Sequence, residues 1–182
     1  MIKIRQLKET EWAQAMELKI FCWTEELAGK AENDLDFSEE LDFWTDWMYT
    51  ATDNNDIRIT CGAFDGDELV GFVAGSIAEI TDIPQKGIEC NGLFVNPKHR
   101  NRGISLKMLV YLLCYFQNFG MEQIVIYNHR YAPSNNFYRK FGMREMRQDI
   151  QSAAGVDILV DVFVIEIEDF KQRLLKVLAR YS

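Results

Sequence analysis

Apolar residues along the chain fall into short alternating runs and longer helical ones, and together they predict a mixed α/β domain. Ile2-x-Ile4-x-x-Leu7 has the spacing of a short first strand. Residues 9–28 follow with helical spacing, which puts Trp12, Met16, Ile20 and Trp23 on one stripe. Ser38 is a candidate N-cap for a second helix to Tyr49, with Leu41, Trp44, Trp47 and Met48 facing inward. Residues 57–63 and 68–80 alternate on either side of Asp65-Gly66-Asp67, a hairpin signal. Residues 87–95 predict the next strand, closed by Pro97, which has no N–H for a ladder. Residues 104–119 form a run of sixteen whose only formal charge is Lys107, a buried helix ended by Gly120. A fifth strand is expected at 123–127 and a short helix at 134–141, stopped by Gly142. Two closing strands at 143–150 and 156–167 would turn around Gly155, before a last amphipathic helix at 168–181.

A length of 182 residues with 48% hydrophobic content suits one domain with a substantial core. The N-terminus lacks the apolar segment of a signal peptide. The longest apolar stretch, within 104–116, is interrupted by Lys107 and falls short of a membrane span. Cys22, Cys61, Cys90 and Cys114 are widely spaced, without CxxC, and the chain has two histidines. Reduced thiols, a cytoplasmic location and no metal site are therefore expected.

Charge changes the picture more. The net charge is −8, yet residues 25–56 hold eleven acids against one base, Lys30, a local charge of −10. The basic residues that stand out occupy one loop, Lys98, His99, Arg100 and Arg102, too short a cluster to suggest nucleic-acid binding. Strand, cationic loop, Gly103 and buried helix make an anion site instead. The N–H groups at a helix start point at the ligand, the helix dipole favours negative charge there, and glycine lets the backbone come close. A diphosphate is the natural guest. Neither GxxxxGK[ST] nor GxGxxG is present.

Arg100-x-x-Gly103-x-Ser105, three residues behind Pro97 and five behind Val95, resembles the acyl-CoA loop of the GNAT (Gcn5-related N-acetyltransferase) family. That family's pattern is Gln/Arg-x-x-Gly-x-Gly/Ala behind Val-x-Pro, so Ser105 is a mild departure. The order of expected elements over residues 2–167 is also the family's, and the helix at 168–182 looks like an addition that either packs on the body or joins two copies of the chain. The resemblance implies a mostly antiparallel sheet of about seven strands flanked by helices. It further implies an acetyl-CoA donor with its diphosphate on Arg100, Asn101, Arg102, Gly103, Ile104 and Ser105. Its pantetheine would lie along Leu93, Phe94 and Val95 where two strands splay apart, and a backbone N–H near Val95 would meet the carbonyl oxyanion.

Ser134-Asn135-Asn136-Phe137-Tyr138-Arg139-Lys140-Phe141-Gly142-Met143 resembles a second family segment, with Met143 where phenylalanine is usual. By that resemblance Tyr138 protonates the leaving thiolate. A phenol with a pKa of about 10 starts protonated and suits the task; packing against the sheet is the alternative. The family's cofactor-binding asparagine is replaced by Tyr131, which leaves Asn128, Asn135 and Asn136 as substitutes, Asn135 being the candidate.

An alkyl ammonium with a pKa of about 10.4 must lose a proton before it can attack a thioester. Glu89 is the candidate base, on the Asn91, Leu93, Val95 face if the strand alternates without a bulge, and at the spacing from Arg100 that histone-type members of the family use. Cys90 would face away and take no acyl group. The implied activity is transfer of acetyl from acetyl-CoA directly to a small cationic amine or peptide amine. A catalytically silent acyl-CoA-binding domain is the alternative.

Overall fold

The structure is a computed structural model that describes residues 1–29, 32–78, 86–153 and 156–181. Five helices flank a seven-stranded sheet. Strand β1 (Ile2–Gln6) is followed by a 3-10 turn (Glu9–Glu11) and helices α1 (Trp12–Leu27) and α2 (Phe37–Tyr49). Strands β2 (Ile59–Asp65), β3 (Glu68–Ile77) and β4 (Gly87–Val95) form an antiparallel meander, and α3 (Ile104–Gln117) leads to β5 (Gln123–His129). The chain closes with α4 (Asn135–Lys140), β6 (Arg144–Ala153), β7 (Val156–Glu166) and α5 (Ile167–Leu178). The order across the sheet is β1-β2-β3-β4-β5-β7-β6, and β4–β5 is its parallel pair. The expected turn at Gly155 and the end of the strand at 79–80 lie outside the described residues.

Two helical layers close the two faces. On one face α3 and α5 bury Ile104, Met108, Leu109, Leu112, Phe116, Phe170 and Leu174 against Ile88, Cys90, Ile124 and Phe163. On the other, α1 and α2 bury Ala15, Met16, Leu18, Cys22 and Trp44 against Phe64, Phe72 and Ala74. The terminal helix is thus part of the body: Phe170 and Leu174 are 0% exposed.

Two local expectations differ from the structure. The buried residues of α1 are Ala15, Met16, Leu18 and Cys22, while Trp12, Ile20 and Trp23 are only partly covered. Small side chains bring the helix axis close to the sheet, and the large ones are left at its flanks. The cap of α2 is Asp36, whose carboxylate accepts from the Ser38 and Glu39 N–H groups at 2.8 and 3.0 Å. An ionised carboxylate at the positive end of the helix outcompetes a hydroxyl two residues later.

Among the described residues no helix is long and apolar enough to cross a membrane, and no group of three or more His, Cys, Asp or Glu could hold a metal ion.

Candidate active site

The sheet is split at its centre. β4 and β5 pair through Gly87–Gln123, Ile88–Ile124 and Glu89–Val125, and beyond Glu89 the two strands part. At the mouth of this fork the chain leaves β4 through a 3-10 turn (Pro97–His99), with the Asn96 side chain accepting from the Lys98 N–H at 3.1 Å. Asn101 and Gly103 follow with φ of +60° and +72°. Left-handed residues alternating with an ordinary one curl successive N–H groups into an anion-binding concavity. α3 then starts with no side-chain cap and no acid in its first turn, so the first N–H groups of the helix are left without intrahelical partners.

The basic side chains of the loop brace it. Arg100 Nε donates to the Val95 carbonyl at 3.1 Å, and Cys22 Sγ from α1 donates to the same oxygen at 3.5 Å. Arg102 lies 3.0 Å from His99 Nδ1 and 3.7 Å from Asp65. What the loop leaves without a partner is therefore mainly the backbone N–H groups at the start of α3. The space beside Gly103 was expected to be open, but Leu178 and Tyr181 occupy it: a Cβ there would lie 3.2 Å from Leu178 Cδ2 and 3.4 Å from the Tyr181 ring.

The fork separates the two catalytic candidates. β3 and β4 slip register between Ala74–Gly92 and Gly75–Cys90, so Asn91 is the extra residue of a bulge. Ile88 and Cys90 before the bulge, and Leu93 and Val95 after it, pack towards α3, whereas Phe94 packs towards α2. Glu89 accordingly faces away from Leu93 and Val95, on the α1/α2 side, which corrects the uninterrupted alternation. Its charge helps to raise the pKa of the Tyr127 phenol across the fork, after burial, the larger cause.

Tyr138 lies on the other side of the sheet. It is 7% exposed, with its ring 5.7 Å from that of Phe163. Burial, then the Cys90 thiol and the Glu26 carboxylate, push the phenol far above its usual range, so it stays protonated at every ordinary pH. Glu26 belongs to α1, in the layer on the opposite face. Burial raises the Cys90 thiol to about 12, so it is no thiolate nucleophile.

Asn135 holds the β5–α4 loop instead of facing the fork. Its Nδ2 donates to the His129 and Arg130 carbonyls at 3.0 and 2.9 Å and lies 3.3 Å from Asp161, while its Oδ1 accepts from Asn128 at 2.5 Å. At 2% exposed and fully bonded, it has nothing left for a ligand. No local pattern announces this network, because its partner Asp161 lies in β7, 26 residues further along the chain.

A family model described as the acetyltransferase (GNAT) family matches residues 12–143. No curated protein sequence matches the chain significantly. Among solved structures, the PaiA N-acetyltransferase of Thermoplasma acidophilum, in complex with coenzyme A, is 20% identical, with a TM-score of 0.59 over 88% of this chain and 98% of that one. The protein yncA of Salmonella typhimurium, solved with its cofactor acetyl-CoA, is 16% identical, with a TM-score of 0.62 over 92% and 94%. FdhC, a nucleotide-linked sugar GNAT, is 12% identical, with a TM-score of 0.69 over 99% and 94%. By its matched residues and its split sheet, the chain belongs to the GNAT family of acetyltransferases.

Proposed function

We propose that the protein is an N-acetyltransferase that passes acetyl from acetyl-CoA directly to a cationic amine. The observation that carries this reading is the fork, with the buried Tyr138 phenol on one side, the Glu89 carboxylate on the other and an uncapped helix start at its mouth. The diphosphate sits on the N–H groups of the Arg100–Ser105 loop, and the pantetheine arm enters along Leu93, Phe94 and Val95. Glu89, at the last pair between β4 and β5, takes a proton from the ammonium, directly or through water. The amine nitrogen forms its bond to the acetyl carbonyl carbon, the carbon–sulfur bond breaks, and the thiolate takes its proton from Tyr138. Placing acid and base on opposite faces keeps them from neutralising each other.

The acceptor approaches from the α1/α2 side, where the acidic segment lies. Three of its acids have structural work: Asp36 caps α2, Glu40 pairs with Lys19, and Asp56 holds Arg58 at 2.6 Å. Of the other eight acids in the segment, we assign Glu25, Glu26 and Asp34 to attracting an ammonium.

Free-thiol release with acetyl-CoA and a panel of amines tests the reading. Turnover on a cationic amine is expected, and Glu89→Gln should abolish the acidic limb of its pH profile. Coenzyme A binding without thiol release on any amine would mean a silent acyl-CoA-binding domain.

A further inference from the structure

α5 ends beside the loop that opens α3. It runs antiparallel to α3: Gln117, the last residue of α3, donates to Glu168 at 2.9 Å and accepts from Lys171 at 2.7 Å. At the other end Leu178 and Tyr181 close on Gly103, the residue before α3. The opposite flank of α5 faces α4, where a Cβ on Gly142 would fall 2.1 Å from Arg173 Nη1. The helix therefore lies between α3 and α4 and finishes at the mouth of the fork.

Two properties of this end go beyond what holds α5 down. Arg173, Lys176 and Arg180 are spaced three and four apart, on one flank, and all are exposed. None of them is in an ion pair among the described residues. Tyr181 lies against the loop yet stays 51% exposed, a wide aromatic face beside Gly103.

We propose that the C-terminal half of α5 seats the nucleotide end of coenzyme A, with Tyr181 under the adenine and the Arg173, Lys176, Arg180 flank around the 3′-phosphate. The proposal rests on the acetyl-CoA reading above. Coenzyme A carries a diphosphate and, separately, a phosphomonoester on the ribose. The N–H groups of the Arg100–Ser105 loop match the first. The second is a compact dianion that calls for cations, above all guanidinium forks, and the purine calls for a flat partner. The flat partner, Tyr181, lies against the loop, and the cations run from beside it back along α5 to Gly142, on a helix outside residues 12–143 of the family match.

The test is calorimetric titration of the full chain with coenzyme A, dephospho-coenzyme A and pantetheine. The parent should bind coenzyme A about tenfold or more tighter than dephospho-coenzyme A. A variant carrying Arg173→Gln, Lys176→Gln and Arg180→Gln should lose that preference and keep its affinity for dephospho-coenzyme A. Tyr181→Ala should weaken both nucleotides by roughly 5-fold to 100-fold and leave pantetheine unchanged. Thermal melts confirm that the variants fold, as these exposed positions allow. Equal parent affinity for the two nucleotides, or variants that keep the parent's preferences, overturns the proposal. Tighter binding by Tyr181→Ala also overturns it and makes the tail a cover over the loop. Failure of all three ligands to bind the parent would instead overturn the acetyl-CoA reading itself.

Discussion

On the α3/α5 side of the sheet Met108, Leu109, Leu112, Leu113 and Phe116 are each 0% exposed, and helix and strands interlock closely enough that Leu112 sits on the bare backbone of Gly75. On the α1/α2 side α2 has one fully buried residue, Trp44, and leaves Phe43 61% and Tyr49 60% exposed. Among the described residues, the buried side-chain atoms without hydrogen-bond partners are Trp12 Nε1, Trp44 Nε1 and Asn91 Oδ1, which belong to α1, α2 and the β4 bulge. Each such atom costs about 1–3 kcal/mol. The side that presents the loop proposed for the cofactor is packed for a fixed geometry, and the side assigned to the acceptor is packed more loosely and carries the acidic segment. An enzyme with one constant donor and a family-specific acceptor would divide its stability this way.

The sharpest attempt to break this division is Tyr138→Phe, on the tightly packed side. Turnover should fall by about 10²–10⁴-fold with coenzyme A affinity intact. A change within twofold or threefold would reduce Tyr138 to a packing residue. Next, Leu112→Ala and Leu41→Ala should differ in urea unfolding: about 2–5 kcal/mol lost under α3, and under about 2 kcal/mol in α2. Equal losses would mean that the two sides are equally rigid. Neutralising Glu25, Glu26 and Asp34, with the Asp36 cap kept, should raise KM for the amine several-fold at low salt, roughly within the 10-fold lower range of electrostatic steering, and leave KM for acetyl-CoA alone. No change would make these acids a solvated surface.

The smallest effect concerns the tie between β1 and the start of α1. Arg5 grips Glu11 with two bonds of 2.7 Å and holds its carboxyl at about 2, well below 4.5. A depressed carboxyl pKa stabilises the fold above the unfolded value, so the contribution should be present at neutral pH and fade as pH falls from 4.5 towards 2. Glu11→Gln should therefore lower the urea midpoint at pH 7, by under about 1 kcal/mol for so accessible a pair, and the gap should close in acid. A gap that is constant with pH would show that the ion pair contributes nothing.

The end of β4 at Pro97, the left-handed turn at Gly103 and the buried helix behind it were legible because their signals are local and lie within a few residues of one another. The misreadings came from effects that only packing decides. The stripe of α1 was misplaced because small residues, Ala15 and Cys22, mark a close approach that the large ones concealed. The face of Glu89 depended on whether the strand alternates without a bulge, and Gly92, a residue type that often accompanies bulges, does not by itself say which neighbour is inserted. Asn135 was misassigned because its carboxylate neighbour is Asp161, distant in sequence. The docking of Tyr181 on Gly103 joins residues far apart along the chain, and no periodicity records that.

The β4–β5 seam is three residue pairs long. Mechanically, the sheet is two plates, β1 to β4 and β5 to β7, sharing a very short weld. A pantetheine arm lying along β4 would extend that weld as a strand would, with its own amides. The donor would then be a removable structural member as well as a reagent, and amide hydrogens along β4 and β5 would exchange at a pace set by how long each donor stays.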